Sequence, residues 1–193
     1  MTNIPETCDI AFKEWAGICQ ALADGRQTII LRKGGIAEDR GAFVPEHRAF
    51  WLYPTHVHEA QQGLRTVTSP RSSELRPDQV AIGTFAVVES VSHIDRLEDL
   101  GTLAEFHIWT EETVLKRFTY RKPGLWVLGV RIGQIPIPWV IDVTADQTGC
   151  KSWVPLEAPL ATEGLVPALD DGEAARRLDR LQAVLNVGKG RPR

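Results

Sequence analysis

Arg32, Lys33, Gly34 and Gly35 put two cations beside two glycines in four consecutive positions. A guanidinium forks onto phosphate oxygens, and glycine lets backbone amides come close to a ligand. The run reads as an anion- or nucleobase-binding loop, or as a solvated turn after a strand. Phe50, Trp51 and Tyr53 lie on a second apolar run. One face of it could stack a base, at roughly 1–3 kcal/mol per base, or the rings could fill the core. His56 and His58 form His-x-His, a spacing that on a strand can bring two imidazoles to one metal. Spacing fixes no third ligand. His47, His93, His107 and Cys150 qualify by type alone, so no metal and no cofactor is expected. His56 or His107 would otherwise suit a general base near neutral pH, and His107 would equally suit a hydrogen-bonded core position beside Trp109. From Thr113 to Ile141 the chain carries Lys116, Arg117, Arg121, Lys122 and Arg131 with no acid, its clearest local positive patch. The plain alternative is a solvated helix face paired with acids elsewhere. Cys150, Lys151 and Ser152 read better as a turn than as a nucleophile, since no base lies nearby in sequence.

The elements that must hold these residues are read from periodicity. Ala11, Trp15, Ile18 and Leu22 recur at helical spacing, so a helix capped by Asp9 is expected to run to about Ala23, with Gly25 beyond its end. Arg26–Lys33 and Ala49–Tyr53 read as strands, with the Arg-Lys-Gly-Gly loop between them. Gln79–Ile94 alternates with both faces apolar, which suits a strand buried on two sides or closed in a barrel. Leu97, Leu100 and Leu103 have helical spacing. Thr110 caps a short helix, with Glu111 and Glu112 in its first turn. Leu125–Ile132 is a strong strand. Pro136 and Pro138 limit the next residues to an edge or irregular run before another strand over Trp139–Val143. Thr148–Leu156 is a turn feeding an extended piece. A last helix runs from about Asp171 to Asn186, before a basic tail.

At 193 residues, 43% hydrophobic and 24% charged, the chain has the make-up of a globular protein of one domain or slightly more. A net charge of −3 supplies no global field for nucleic acid, so any such binding must be local. Cys8, Cys19 and Cys150 make an odd count without Cys-x-x-Cys spacing, against a disulfide framework or zinc knuckle. No apolar run approaches the roughly 20 residues of a membrane span, no signal peptide is evident at the start, and cytoplasm is the expectation.

Leu31-Arg32-Lys33-Gly34-Gly35-Ile36, Phe50-Trp51-Leu52-Tyr53-Pro54-Thr55-His56, His107-Ile108-Trp109-Thr110 and Gly149-Cys150-Lys151-Ser152-Trp153-Val154 resemble, in order, the bacterial family called domain of unknown function 1802. The resemblance spans roughly Ala11 to Leu156. The family has no established activity; some members adjoin restriction-endonuclease domains, which implies a role near DNA restriction. The opening helix and Gly25, Thr28 and Arg32 are also similar to ASCH domains of the PUA-like superfamily, where a helix leads into Gly-x-Lys-Thr-x-Glu-x-Arg. Gln27 stands at the lysine and Ile30 at the glutamate, so the hydrolysis those two residues perform in ASCH amidohydrolases is not implied here.

The resemblance implies an α+β fold: a small PUA-like, closed or partly open β-barrel over residues 1–165, with flanking helices, and a C-terminal helix and basic tail over 166–193. It implies a module that binds nucleic acid or a modified nucleobase, with a restriction endonuclease as partner. Thr28, Arg32, Lys33, Gly34, Gly35, Trp51, Tyr53, Lys116, Arg117, Arg121 and Arg131 are the expected ligand-binding residues. The competing expectation is a hydrolase or nuclease using His56, His58 and a carboxylate, Glu38 or Glu46, with or without a divalent metal. A third is a structural partner domain with a large apolar patch.

Overall fold

The computed structural model describes residues 4–33, 46–56, 63–65, 75–149 and 151–189. One mixed sheet holds β1 (Thr7–Trp15), β2 (Ile29–Arg32), β3 (Ala49–Thr55), β4 (Gln79–Ile94), β5 (Leu125–Asp142), β6 (Trp153–Ala161) and β7 (Val166–Pro167). The α-helices are α1 (Ala16–Ala23), α2 (Glu111–Thr119) and α3 (Asp171–Lys189), and a 3-10 helix spans Leu97–Phe106. The order across the sheet is β2-β5-β4-β3-β1-β6, with β7 beside β5. β1 and β3 run parallel. The fold class is α+β, and of the closed and partly open barrels expected, the sheet is open, because β2 and β6 are not neighbours.

The helix expected from Asp9 to Ala23 is a correction: Thr7–Trp15 is a strand and only Ala16–Ala23 is helical. β1 lies between β3 and β6, so its backbone groups are satisfied on both sides. A register shift between Cys8 and Ile10 breaks its alternation. The apolar stripe seen in sequence therefore runs across a strand–helix junction at Trp15. Gly25, at φ +67°, stands after α1 where a left-handed residue is needed. Thr110 caps α2 as expected, its side chain accepting the Thr113 amide.

The two faces of the sheet bury different cores. Phe12, Phe50, Leu52, Ala86 and Val88 face one that includes residues of α1, α2 and α3 and of the 3-10 helix. Ala11, Trp51, Tyr53, Ile82, Phe85 and Val154 face another built mainly from strand residues. β5 continues past its prolines as one strand with a bulge. Its pairing with β4 jumps from Thr84↔Gln134 to Ile82↔Trp139, leaving residues 135–138 bulged opposite Gly83. Pro136 and Pro138 thus sit where β4 demands no ladder hydrogen bond. A Cβ on Gly83 would come within 3.0 Å of Pro138. No helix among the described residues is long and apolar enough to cross a membrane.

Candidate functional site: a cationic cleft at the ends of β1 and β3

The parallel strands β1 and β3 end side by side, Trp15 opposite Thr55. Their last residues wall a cleft of about 960 Å³ that also takes in Arg32 at the end of β2, Arg117 of α2, and Lys151 and Ser152 before β6. Lys13, Arg32, Arg117 and Lys151 line it, against one acid, Glu14, among the described lining residues.

Arg32 is held on two sides. Its guanidinium lies 4.6 Å from the Phe12 ring centre, and its Nη2 donates to Ser152 Oγ at 2.6 Å. Burial lowers its pKa; nearby Glu14 acts the other way, and nearby Arg117 lowers it further. Arg117 lies 4.4 Å from the Trp15 ring centre and 5.0 Å from that of Trp109. Neither arginine forms an ion pair within 4.0 Å among the described residues. Two guanidiniums that repel each other, held against aromatic rings and with no carboxylate in ion-pair contact among the described residues, can receive an anion, although Glu14 lies near enough to favour the charge on Arg32.

Glu14 stands two positions after Phe12 on the same face of β1 and is 6% exposed. Its Oε1 accepts the Trp15 amide at 2.8 Å, while its backbone oxygen accepts the Thr55 hydroxyl at 3.1 Å. Cys19 is buried close by; burial, then the charge of Glu14, drives its thiol well above the ordinary range, so it is no thiolate nucleophile. Lys13 Nζ donates to the Gly149 carbonyl at 3.0 Å and lies 5.7 Å from the Tyr53 ring centre. Tyr53 and His56 form part of the cleft wall.

Other residues expected to bind ligand stand elsewhere. Lys33 Nζ donates to the carbonyls of Phe118 at 2.6 Å and Gly124 at 2.9 Å, and to that of Lys122, closing the C-terminal end of α2. Lys116 pairs with Glu112 at 2.7 Å on the exposed face of the same helix. Arg131 pairs with Glu89 at 3.1 Å and Asp171 at 2.8 Å. It lines, with Thr28, a separate hollow of about 20 Å³, room for one water. Arg121, exposed at φ +60°, covers the Tyr120 ring at 5.1 Å. Trp51 is fully buried, edge-on to Phe85, and is a core residue. Gly34, Gly35, Glu38 and His58 lie outside the described residues. Glu46 is exposed, 3.9 Å from His47, and does not line the cleft. Among the described residues no three of His, Cys, Asp and Glu gather as metal ligands do. His107 is buried with Nδ1 unbonded, and burial together with Arg65 and Arg117 lowers its pKa to about 4. It is a neutral core residue at pH 7.

Sequence reasoning missed Glu14, Lys13 and Trp15, which it assigned to a helix. The available signal was an acid two positions after a buried phenylalanine on a strand. It also missed Ser152 as the partner of Arg32, a contact between residues 120 positions apart.

Gln27, which the sequence resemblance sets against the ASCH lysine, is buried, its amide donating to the Ile29 carbonyl at 2.9 Å and its oxygen accepting the Ile108 amide at 3.1 Å. Ile30, which the same resemblance sets against the glutamate, is in the core. The chain is similar to crystal structures of ASCH from Zymomonas mobilis. One is 14% identical, covering 89% of this chain and 94% of that one, at a TM-score of 0.42. A serine-to-alanine mutant of that protein is 15% identical, covering 92% and 99%, at 0.42. A tyrosine-to-phenylalanine mutant is 14% identical, covering 89% and 96%, at 0.43. No curated protein matches. The family model described as Domain of unknown function (DUF1802) matches residues 11–180, and the chain belongs to that family.

Proposed function

We propose that the cleft binds the backbone of single-stranded nucleic acid, or a nucleotide, with Arg32 and Arg117 as the phosphate contacts. The carrying observation is that these two guanidiniums line one cleft, held against Phe12, Trp15 and Trp109 with no ion pair among the described residues, while Lys33, Lys116 and Arg131 are occupied within the fold. An anion relieves their mutual repulsion and meets donors already in place. Lys13 and Lys151 on the same cleft extend the positive track. A base-modified strand is an admissible ligand, since the volume exceeds that of one nucleobase. A restriction endonuclease is the partner this reading favours, on the resemblance to family members encoded beside such domains, and the cytoplasm its place of action.

The test is a salt titration of binding to single-stranded, duplex and base-modified DNA and RNA. Affinity falls steeply as salt rises, because each neutralised phosphate releases counterions. Arg32→Ala weakens binding to every sequence alike and flattens the salt slope by about one. No binding to any of these at low salt ends the proposal.

A further inference from the structure

Glu14 lies near enough to Arg32 to favour its charge, yet the two form no ion pair. A carboxylate on a cleft lined by cations repels a phosphate and suits a part of the ligand that carries N–H donors. It is an acceptor-only group with about four lone-pair sites, of which the Trp15 amide takes one. No ion pair engages it within 4.0 Å among the described residues. It is 6% exposed, so whatever reaches it must be thin. Trp15 fixes the carboxylate and Thr55 fixes its backbone, so it is set before a ligand arrives.

We propose that Glu14, on the same cleft as Arg32 and Arg117, reads the base, and that the preferred ligand is an unpaired guanine nucleotide. This rests on the phosphate reading of the two arginines. The Watson–Crick edge of guanine presents two adjacent donors, N1–H and the N2 amine, which match the two oxygens of one carboxylate. Adenine and cytosine each place a ring-nitrogen acceptor beside their donor, and uracil flanks its single N–H with two carbonyls. Each of those sets an acceptor against Glu14. Reading this edge also requires that the base be unpaired, which excludes an intact duplex at this position.

The experiment is calorimetric titration of the full chain, at low salt, with the monophosphates of guanosine, inosine, adenosine, cytidine and uridine, and with inorganic pyrophosphate. The guanosine ligand binds tightest, by about tenfold over the others, the discrimination of one good bidentate contact. The inosine ligand, which lacks only the N2 amine, loses most of that advantage, and this comparison needs no variant. Glu14→Gln removes the preference, while pyrophosphate still binds and does so more tightly, because the carboxylate that repels it is gone. Equal affinity for all bases, or a guanosine preference unchanged by Glu14→Gln in a folded variant, overturns the assignment of Glu14 while pyrophosphate binding upholds the arginine site. If neither pyrophosphate nor any nucleotide binds, both readings fall.

Discussion

The guanidinium of Arg117 packs 4.4 Å from the ring of Trp15, the residue at which β1 gives way to α1. That contact ties α2 to the strand–helix junction that also carries Glu14. It makes one side chain responsible for charge and for the position of the cleft wall. Arg117→Lys keeps the charge and loses the planar stack, so it is not a conservative change here. Exposed to partly desolvated cation–π contacts contribute about 0.5–2 kcal/mol. The thermal midpoint of the lysine variant should fall by a few degrees. Its affinity for a single-stranded oligonucleotide should fall by about tenfold, with the salt slope almost unchanged. Arg117→Ala should lose the slope as well. A lysine variant that binds as tightly as wild type would show that the stack does not position the charge.

Lys33 makes the contrasting case. Of its three carbonyl contacts, Phe118 is in the last turn of α2, where orphaned acceptors and the helix dipole favour a cation, and Lys122 and Gly124 are in the turn that follows. Lys33→Met should lower the free energy of unfolding by about 1.5–3 kcal/mol, the scale of a hydrogen bond to a charged group. Denaturant midpoints measure this. Binding by the folded variant should stay within about twofold of wild type, because the ammonium points at the helix end and not at the cleft. A large loss of binding with no loss of stability would return Lys33 to the ligand site.

How much of this was legible in sequence depends on whether a signal is local. β2, β3 and the Thr110 cap of α2 are written in short runs of residue type, and they stand where those runs place them. The strand β1 was not legible, because Ala11, Trp15, Ile18 and Leu22 happen to keep helical spacing across two elements and a register shift hides the true alternation. The basic segment from Lys116 to Arg131 was visible as charge. Which of its members is free is decided by partners far along the chain: Asp171 takes Arg131, whereas Trp15 and Trp109 take Arg117 without cancelling its charge. Arg32 was found because it ends a strand beside glycines. Glu14 was not, because a buried acid has no signature until the strand carrying it is placed.

His107 gives the fold a pH dependence whose sign is fixed. Burial, then Arg65 and Arg117, lower its pKa from 6.5 to about 4, so the unfolded chain binds the proton more tightly than the folded one. Its contribution is unaffected above pH 6.5, costs stability progressively as pH falls from 6.5 to about 4, and is constant below that. The full difference is on the order of 3 kcal/mol. His107→Phe keeps a ring beside Trp109 and removes the titrating group. The gap in unfolding free energy between variant and wild type should widen in favour of the variant as pH drops through that window. Parallel pH profiles for the two proteins would mean that His107 is solvated or protonated in the fold.

The docking of α3 can be tested at one atom. Gly129 lies in β5 beneath the helix, and a Cβ there would stand 3.0 Å from Leu178 and Leu181 and 2.4 Å from Ser90 Oγ. The serine oxygen can turn away, but the two leucines are buried in the helix–sheet contact and can yield only if α3 moves. Gly129→Ala should therefore cost about 1–3 kcal/mol by overpacking. The damage should be felt first by α3, read as faster amide exchange across residues 171–189 than in β4 or β1. Because Arg32, Arg117 and Glu14 stand on other elements, nucleotide affinity of the folded variant should be preserved. A second substitution, Leu178→Ala, should restore part of the lost stability by opening room for the new methyl group, whereas each change alone destabilises. If the double variant is instead the sum of the two single losses, the helix is not pressed onto Gly129 and its hold on the sheet lies elsewhere along its length.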